Sequence, residues 1–202
     1  MKKLTALALM AFGTAGYAEP DAGNFSAHNH RVLSSIPSSI VVNVDEFRTD
    51  ISYTKDWIED QTFKGGDAEW ECLAEAIYFE ARGESVKGQF AVAEVILNRV
   101  DSATFPDTIC GVVNQGTGRK YQCQFTYTCD GYKEVINEPK TYKRVGKVAQ
   151  VMMQNGAPRD LTDGATHYHT KAVNPRWARK FPRTTTIGVH HFYRMPTRVT
   201  SN

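Results

Sequence analysis

Two carboxylates stand four residues apart in the segment 69–101, at Glu80 and Glu84. At about 100° per residue around a helix, Glu80 falls at the flank of an apolar stripe rather than on the solvated side. The carbonyl end of a helix and apolar surroundings both disfavour an ionised carboxylate, so we expect a raised pKa for Glu80. A carboxyl group that keeps its proton at neutral pH can act as a general acid. Glu84 is predicted either as a second functional carboxylate or as a like charge that raises the pKa of Glu80 further.

Two helices joined by a short elbow must position this carboxyl group. Apolar residues recur at i, i+3, i+4 and i+7 from Trp70 to Ala81, which predicts an amphipathic helix with Glu80 in its last turn. Gly83 is predicted to end this helix in a left-handed conformation, and Ser85 to cap the next one. The second helix is apolar almost all round and is predicted to be buried. Its narrow polar seam faces either the core or a cleft and consists of Lys87, Glu94, Asn98 and Asp101.

The rest of the chain predicts one more long helix and a small sheet. Pro139 suits a helix start, and helical periodicity continues to a stop at Asn155 and Gly156. Further on, GATHYHT and TTTIGVHHFYR have the alternation and the β-branched and aromatic residues of strands, with a short helical turn at NPRWAR between them. The predicted fold class is therefore α+β, mostly helical, with a small antiparallel sheet beside the helices.

The N-terminus has the pattern of an export signal. Two lysines, an apolar run and small residues that approach Ala18 predict a secretory signal peptide over 1–18. An uncleaved anchor is the alternative, although the apolar run is short for a membrane span. Residues 19–66, rich in Ser, Asn, Asp and Pro, are predicted to be an arm that packs along the domain or a linker, and 67–202 the main domain.

Charge and cysteine content narrow the possible partners. Loss of Lys2 and Lys3 with the signal peptide would leave 22 basic residues, 24 minus 2, against 22 acidic ones, so no basic field would favour nucleic acid. Four cysteines in an exported chain favour disulfides. Of the three possible arrangements we favour Cys72 with Cys110 and Cys123 with Cys129; zinc binding is the alternative, but the spacing is poor for it.

Five sequence blocks carry a resemblance to a known family. They are CLAEAIYFEARGESVKGQFAVAEVILNRV, FPDTICGVV, CQFTYTCDG, GATHYHT and IGVHHFYR, and together they extend over about residues 69–194. These blocks resemble the cell-wall hydrolase family typified by the spore-cortex-lytic enzymes SleB and CwlJ. The resemblance implies a lysozyme-like domain at 67–202 that cleaves peptidoglycan glycan strands. It also implies that Glu80, in the EARGE-type motif, is the general acid of a lytic transglycosylase, although a hydrolase is not excluded.

The same resemblance supplies candidates for the rest of the site. The family-like blocks contain side chains that would orient Glu80 or line a sugar cleft: Glu84, Gln89, Asn98, Gln124, Phe125, Tyr127, His167 and His169. Aromatic rings stack on sugar faces while amides and hydroxyls bond to sugar hydroxyls. Each could equally be a buried polar or core residue, and CQFTYTC a disulfide-closed hairpin with Phe125 and Tyr127 in the core. A hydrolase would need a second carboxylate, for which Glu84, Glu94 and Asp130 are the candidates.

Two other functions stay open at this point. One is a zinc-dependent amidase, which would cut the peptide from the glycan with His167, His169 and His190 as its zinc ligands. A noncatalytic peptidoglycan-binding module is the third possibility. The main prediction needs no cofactor and no metal. It predicts an exported monomer in the periplasm or cell envelope, with peptidoglycan as partner and membrane contact only through the signal peptide.

Overall fold

The computed structural model of the chain describes residues 51–119, 122–154 and 156–196. The predicted signal peptide, 1–18, and the arm up to residue 50 lie outside the described residues. Helices dominate and a small antiparallel sheet follows them, which confirms the predicted fold class. No helix in these three ranges has the length and apolar character needed to cross a membrane. The α-helices are α1 (Lys55–Asp60), α2 (Ala68–Ala81), α3 (Val86–Val100), α4 (Ile109–Val113) and α5 (Pro139–Met153).

Helices α2 and α3 are the predicted pair. The Ser85 hydroxyl accepts a hydrogen bond from the Gly88 amide and caps α3 as expected, because the first amides of a helix have no partner within it. The left-handed ending at Gly83 is wrong, since its φ is not positive. The Arg82 amide instead completes the last helical bond, and the Glu84 amide bonds to the Ala81 carbonyl, so the elbow turns without a left-handed residue.

Helix α3 forms the centre of the helical layer. Most of its residues are buried, as its apolar sequence predicts, and α2, α4 and α5 pack around it. Burial of a large apolar side chain stabilises the fold by about 1.5–3 kcal/mol. The fully buried members of this core include Leu73, Ile77, Phe90, Ile96 and Val148.

Residues 51–66, the described part of the predicted arm, pack against helix α5. Ile58 of α1 is fully buried. Gln150 of α5 donates from its side-chain amide to the Thr62 carbonyl at 2.8 Å and accepts from the Lys64 amide at 3.1 Å. The described residues 51–66 are therefore held against the helical layer.

Two polar residues of the α3 seam hold the loop that leads into the sheet. The Glu94 carboxylate is fully buried and accepts from the amides of Leu161 and Thr162, at 3.0 and 2.9 Å, and from the Thr162 hydroxyl. The Asn98 side chain donates to the Ala165 carbonyl at 3.0 Å. Both residues therefore match the core alternative, in which buried polar groups find partners in the protein.

The bonds of Glu94 lead to a prediction about stability. Glu94→Gln replaces one carboxylate oxygen by an NH2 group that faces amide donors, and hydrogen bonds to a charged group are worth about 1.5–3 kcal/mol. We expect the free energy of unfolding to fall by about 2 kcal/mol, measured by urea denaturation. The matched control Glu71→Gln, on the exposed side of α2, should change it by less than about 0.5 kcal/mol. Equal stability of the two variants would contradict the structural role of Glu94.

The sheet has three antiparallel strands in the order β1-β3-β2. They are β1 (His167–Thr170), β2 (Arg183–Ile187) and β3 (His190–Tyr193). Segment 183–193 is thus a hairpin, with Gly188 at φ +58° in its turn, a conformation that favours glycine. A 3-10 helix, Arg176–Arg179, stands at the predicted helical turn between β1 and β2.

The two faces of the sheet have different surroundings, because successive side chains alternate along a strand. On the inner face, Phe192 packs with Ala91 and Val95 of α3, and Tyr168 lies against this cluster. His167 and His169 alternate with Tyr168 and therefore project from the opposite, outer face. The inner face thus brings the side chain of Tyr168 towards the helices.

Both favoured disulfides are present. Cys72 of α2 pairs with Cys110 of α4, with their Cα atoms 5.3 Å apart. Cys123 pairs with Cys129, at a Cα separation of 6.4 Å. The first bond links the helix that carries Glu80 to the segment after α3, and the second closes a small loop.

The loop closed by the second disulfide is not the hairpin that was predicted as an alternative. Residues Thr126–Cys129 form a 3-10 helix. The amide and the hydroxyl of Thr128 both donate to the Phe125 carbonyl, at 3.3 and 2.9 Å, so local bonds take the place of cross-strand bonds. Phe125 is buried and Tyr127 half-buried at the edge of the core.

Candidate active site

Glu80 lies in the last turn of α2, where the helix meets the inner face of the sheet. Its side chain is half-buried, and the Tyr168 hydroxyl of β1 donates to its Oε2 atom at 3.0 Å. The two residues are 88 positions apart in sequence. The fold therefore gives this carboxyl group a fixed partner and shelters it from bulk water.

The surroundings of Glu80 raise its pKa, as the sequence predicts. Burial is the largest cause, because it disfavours the charged form. The hydrogen bond from Tyr168 and the positive charge of Arg99 act in the opposite direction. The charge that acts on Glu80 belongs to Arg99, whereas Glu84, which was predicted as a possible like charge, is not among the causes. The prediction that Glu84 raises this pKa as a like charge is therefore not supported.

Arg99 is a site residue that the sequence patterns did not predict. It is only 2% exposed, its Nε atom donates to the Thr166 carbonyl at 2.7 Å, and its guanidinium lies 5.5 Å from the ring centres of both Phe105 and Phe125. Burial lowers its pKa to about 10, while Tyr168 and Glu80 oppose that shift, so it stays cationic at neutral pH. A charged residue in a helix that is otherwise apolar nearly all round was the signal for it.

Aromatic side chains form a wall beside Glu80. Phe79 stacks on Tyr127 with ring centres 4.6 Å apart, and Phe125 lies 6.2 Å from Tyr127. The Tyr127 hydroxyl is buried without a partner among the described residues, and burial raises its pKa. Phe79 and Tyr127 also line a groove of about 300 Å³ with Tyr132. The two stacked rings therefore give this groove an aromatic surface, which suits the apolar face of a sugar ring.

Other predicted residues support the site from outside it. Glu84 accepts from the Val189 amide at 3.4 Å and so reaches the turn of the hairpin. Gln89 is buried and donates to the carbonyls of Ala81 and Glu84, both at 3.4 Å, which holds the elbow after α2. Asn98 bonds to the loop before the sheet, as described above. Gln124 is half-buried, and its backbone amide bonds to the Gln115 carbonyl.

The histidines do not converge on one point. His167 packs against Phe105, Trp177 and Phe181, and burial, aided by Arg99, lowers its pKa to about 4, so it is neutral at physiological pH. The ring of His169 stacks on Tyr193.

His190 is buried on the other face of the sheet, against Tyr168. In the described part of the chain no group of three His, Cys, Asp or Glu side chains has a metal-binding arrangement. The residues of the zinc alternative therefore do not fit the three-histidine site that it requires.

The hydrogen bond from Tyr168 can be tested directly. Tyr168→Phe removes a donor that lowers the pKa of Glu80, so that pKa should rise further above its ordinary value. The measurement is an NMR titration of 13C-labelled glutamate carboxyls, with Glu80→Gln used to assign the signal. Tyr193→Phe removes a similar hydroxyl, which bonds to His169 instead, and should leave the titration unchanged. An unchanged or lower pKa in Tyr168→Phe would contradict the role assigned to this bond.

Several known proteins are similar to this chain. The family described as Cell Wall Hydrolase matches residues 83–193, which include Arg99 and Tyr168 and begin just after Glu80. The spore cortex-lytic enzyme of Halalkalibacterium halodurans is 36% identical over 127 residues, 62% of this chain and 34% of that protein. The corresponding enzyme of Bacillus subtilis is 34% identical over 122 residues, 59% of this chain and 35% of that protein. The chain thus spans about a third of the length of these curated relatives.

A solved structure also matches. The catalytic domain of the germination-specific lytic transglycosylase SleB from Bacillus anthracis is 33% identical, with 66% of this chain and 100% of that chain covered and a TM-score of 0.48. The family match extends over more than half of the 202 residues. The chain therefore belongs to the cell wall hydrolase family.

Proposed function

We propose that the protein cleaves peptidoglycan glycan strands between N-acetylmuramic acid and N-acetylglucosamine, as a lytic transglycosylase with Glu80 as its acid and base. The observation that carries the proposal is the half-buried Glu80 carboxyl with a raised pKa and a fixed tyrosine partner. Membership of the cell wall hydrolase family supports peptidoglycan as the substrate. The relative from Bacillus anthracis described as a lytic transglycosylase supports this reaction.

Glu80 acts twice in this mechanism. Its carboxyl first protonates the glycosidic oxygen as an oxocarbenium-like transition state forms at the muramic acid. The resulting carboxylate then accepts the proton of the muramic 6-hydroxyl, which closes on the sugar and forms a 1,6-anhydro bond. No water is consumed, and Glu80 ends the cycle protonated.

The positions of the other candidate carboxylates favour this one-carboxyl route over hydrolysis. Glu94 is fully buried and bound to the loop before the sheet. The Asp130 carboxylate accepts from the Tyr132 amide within its own exposed turn. Glu84 is bound to the hairpin turn. Each of the three carboxylates is therefore hydrogen-bonded to a backbone amide of a loop or turn. None of them hydrogen-bonds to Glu80 or Tyr168.

The remaining parts of the proposal concern binding and location. Phe79 and Tyr127 are proposed to stack on a sugar ring beside the cleaved bond, with Gln124 and Phe125 behind them. His167 and His169 would hold β1 in place from the outer face of the sheet. Glu84, Gln89 and Asn98 would hold the frame of the cleft. We further propose that the chain is exported by the segment 1–18 and acts as a monomer in the periplasm or cell envelope, without a metal or cofactor.

The masses of the products decide between the reactions. Purified peptidoglycan is digested with the protein and analysed by mass spectrometry. Glycan fragments that end in 1,6-anhydro-muramic acid are the expected product. Reducing ends would establish hydrolysis instead, and free stem peptides would establish an amidase. A digest with no new fragment from any peptidoglycan type would contradict the enzymatic proposal and favour a binding module.

A further inference from the structure

The chain after Asp163 contains no acidic residue. Seven of its 24 basic residues and none of its 22 acidic ones lie there, although the whole chain has a formal net charge of only +2. Five of the seven fall within residues 171–183, between the end of β1 and the start of β2. We name this segment the cationic arch. Its basic residues are all exposed, and they are Lys171, Arg176, Arg179, Lys180 and Arg183.

The cationic arch is fixed against the outer face of the sheet by one tryptophan. The Trp177 ring centre lies 5.1 Å from that of His167, 5.6 Å from that of His169 and 5.3 Å from that of Tyr193. Phe181 adds a second contact, since its ring centre is 5.0 Å from that of His167. The basic side chains therefore extend from a segment that is packed onto strands, which lowers the entropy that binding would cost.

The positive charge of the cationic arch is not neutralised by nearby carboxylates of the described residues. The ion pairs in the ranges 51–119, 122–154 and 156–196 involve Arg82, Arg144, Arg159 and Arg194, and none involves a residue of the arch. The pKa of His191 in β3 is lowered by burial and then by Arg183, His169 and Lys171. The charges that act on His191 are thus cationic, as expected for a positive surface.

The cationic arch begins close to the candidate active site. Tyr168, the partner of Glu80, and Lys171, the first basic residue of the arch, are three positions apart at the end of β1. At about 3.3 Å per residue, the two backbone positions are roughly 10 Å apart. About three residues of an extended peptide cover the same distance.

We propose that the cationic arch binds carboxylate groups of peptidoglycan stem peptides and so directs the enzyme to glycan strands that carry free peptide carboxylates. The inference rests on the proposed function, because a peptidoglycan strand in the cleft places a peptide-bearing muramic acid next to Glu80. The peptides are the source of negative charge on such a strand, whereas the N-acetylated sugars are neutral. Charge complementarity therefore favours the peptide over the sugar as the group that meets the arch.

The test compares three exposed cations of the arch with three elsewhere. The variant Lys171→Gln/Arg176→Gln/Arg179→Gln, which includes the basic residue nearest to Tyr168 in sequence, is measured on native peptidoglycan and on the same material after chemical amidation of its carboxylates. We expect the kcat/KM of the wild type to be about fivefold higher on native than on amidated peptidoglycan, because each exposed ion contact is weak. The difference should arise from a lower KM on the native substrate. The variant should lose this preference, and the wild type should lose it at about 0.5 M salt. The control Lys55→Gln/Lys64→Gln/Lys140→Gln removes the same charge from exposed positions on the helical side and should keep it.

Binding separates the failure of this inference from failure of the proposed function. Co-sedimentation with insoluble peptidoglycan is measured in the Glu80→Gln background, where no cleavage is expected. Carboxylate-dependent binding without cleavage by the wild type would leave the inference intact and overturn the function. Cleavage with no preference for free carboxylates, or an equal loss in the variant and the control, would overturn the inference alone. If the arch variant no longer binds phosphatidylglycerol vesicles but binds peptidoglycan as the wild type does, the inference is overturned and the arch is a membrane-binding surface.

Discussion

Glu80→Gln is expected to reduce turnover of peptidoglycan by about 10³-fold or more. The amide cannot donate a proton to a glycosidic oxygen as a carboxylic acid does, and general acid–base catalysis alone contributes about 10²–10⁴-fold. In the proposed reaction the same group also serves as the base, so both steps lose their catalyst. The rate is measured as release of soluble glycan fragments, with their masses checked for 1,6-anhydro ends.

The control for this variant is the same substitution four residues further on. Glu84→Gln lies in the elbow and contacts the hairpin turn rather than Tyr168, so it should cost less than about tenfold in turnover. Glu80→Gln should change the free energy of unfolding by less than about 1 kcal/mol, because its side chain is only half-buried and of the same shape. Unchanged turnover in Glu80→Gln would end the assignment of Glu80 as the acid.

Local sequence patterns were sufficient to predict the elements that carry Glu80. Periodicity from Trp70 to Ala81 and the cap at Ser85 predict the ends of two helices, because these signals involve residues within one or two turns of each other. The raised pKa of Glu80 followed from the same helix, since burial is its main cause. Four cysteines in a chain with an export signal favoured disulfides, and the favoured pairing is the one observed.

The partners of Glu80 depended on contacts across the chain, and the sequence alone did not identify their roles. Tyr168 reaches Glu80 only because the inner face of β1 lies against α3. Alternation along a strand predicts which side chains share a face, but it does not predict which element that face packs against. Arg99, unlike Tyr168, lies on a helix that was correctly predicted as buried, but the charge of Arg99 within that helix was not considered. A buried cation requires nearby groups that compensate it, so a charged residue within an apolar helix indicates a polar site beside that helix.

The positive charge of Arg99 is expected to assist catalysis by Glu80. Arg99→Met is expected to lower kcat by about 100-fold at the optimal pH. The guanidinium favours the carboxylate form of Glu80, which is the form that develops as the proton leaves for the glycosidic oxygen. At an effective dielectric constant of 20, two unit charges about 4–8 Å apart interact by about 2–4 kcal/mol, and removal of one fixed electrostatic group commonly costs about 10²–10³-fold.

The pH profile separates this role from a purely structural one. Activity requires protonated Glu80, so it falls as the pH rises through the pKa of this group in the folded enzyme. Arg99 lowers that pKa, and its removal should therefore move the alkaline limb of kcat/KM to higher pH while the maximum falls. Arg99→Lys keeps the charge and should restore the position of the limb, although it cannot reproduce the bond from Nε to the Thr166 carbonyl.

Stability provides the last distinction for Arg99. Methionine leaves the buried Thr166 carbonyl without its donor, at a cost of about 1–3 kcal/mol, so rates must be compared well below the unfolding midpoint. Arg144→Met removes an arginine that pairs with Glu59 on the far helices, at 3.5 Å, and should leave both the limb and the maximum unchanged. If Arg99→Met lowers activity by the same factor at every pH, so that the alkaline limb of kcat/KM does not move, Arg99 only maintains the fold. A shifted limb that lysine restores can arise only from a charge acting on the proton of Glu80.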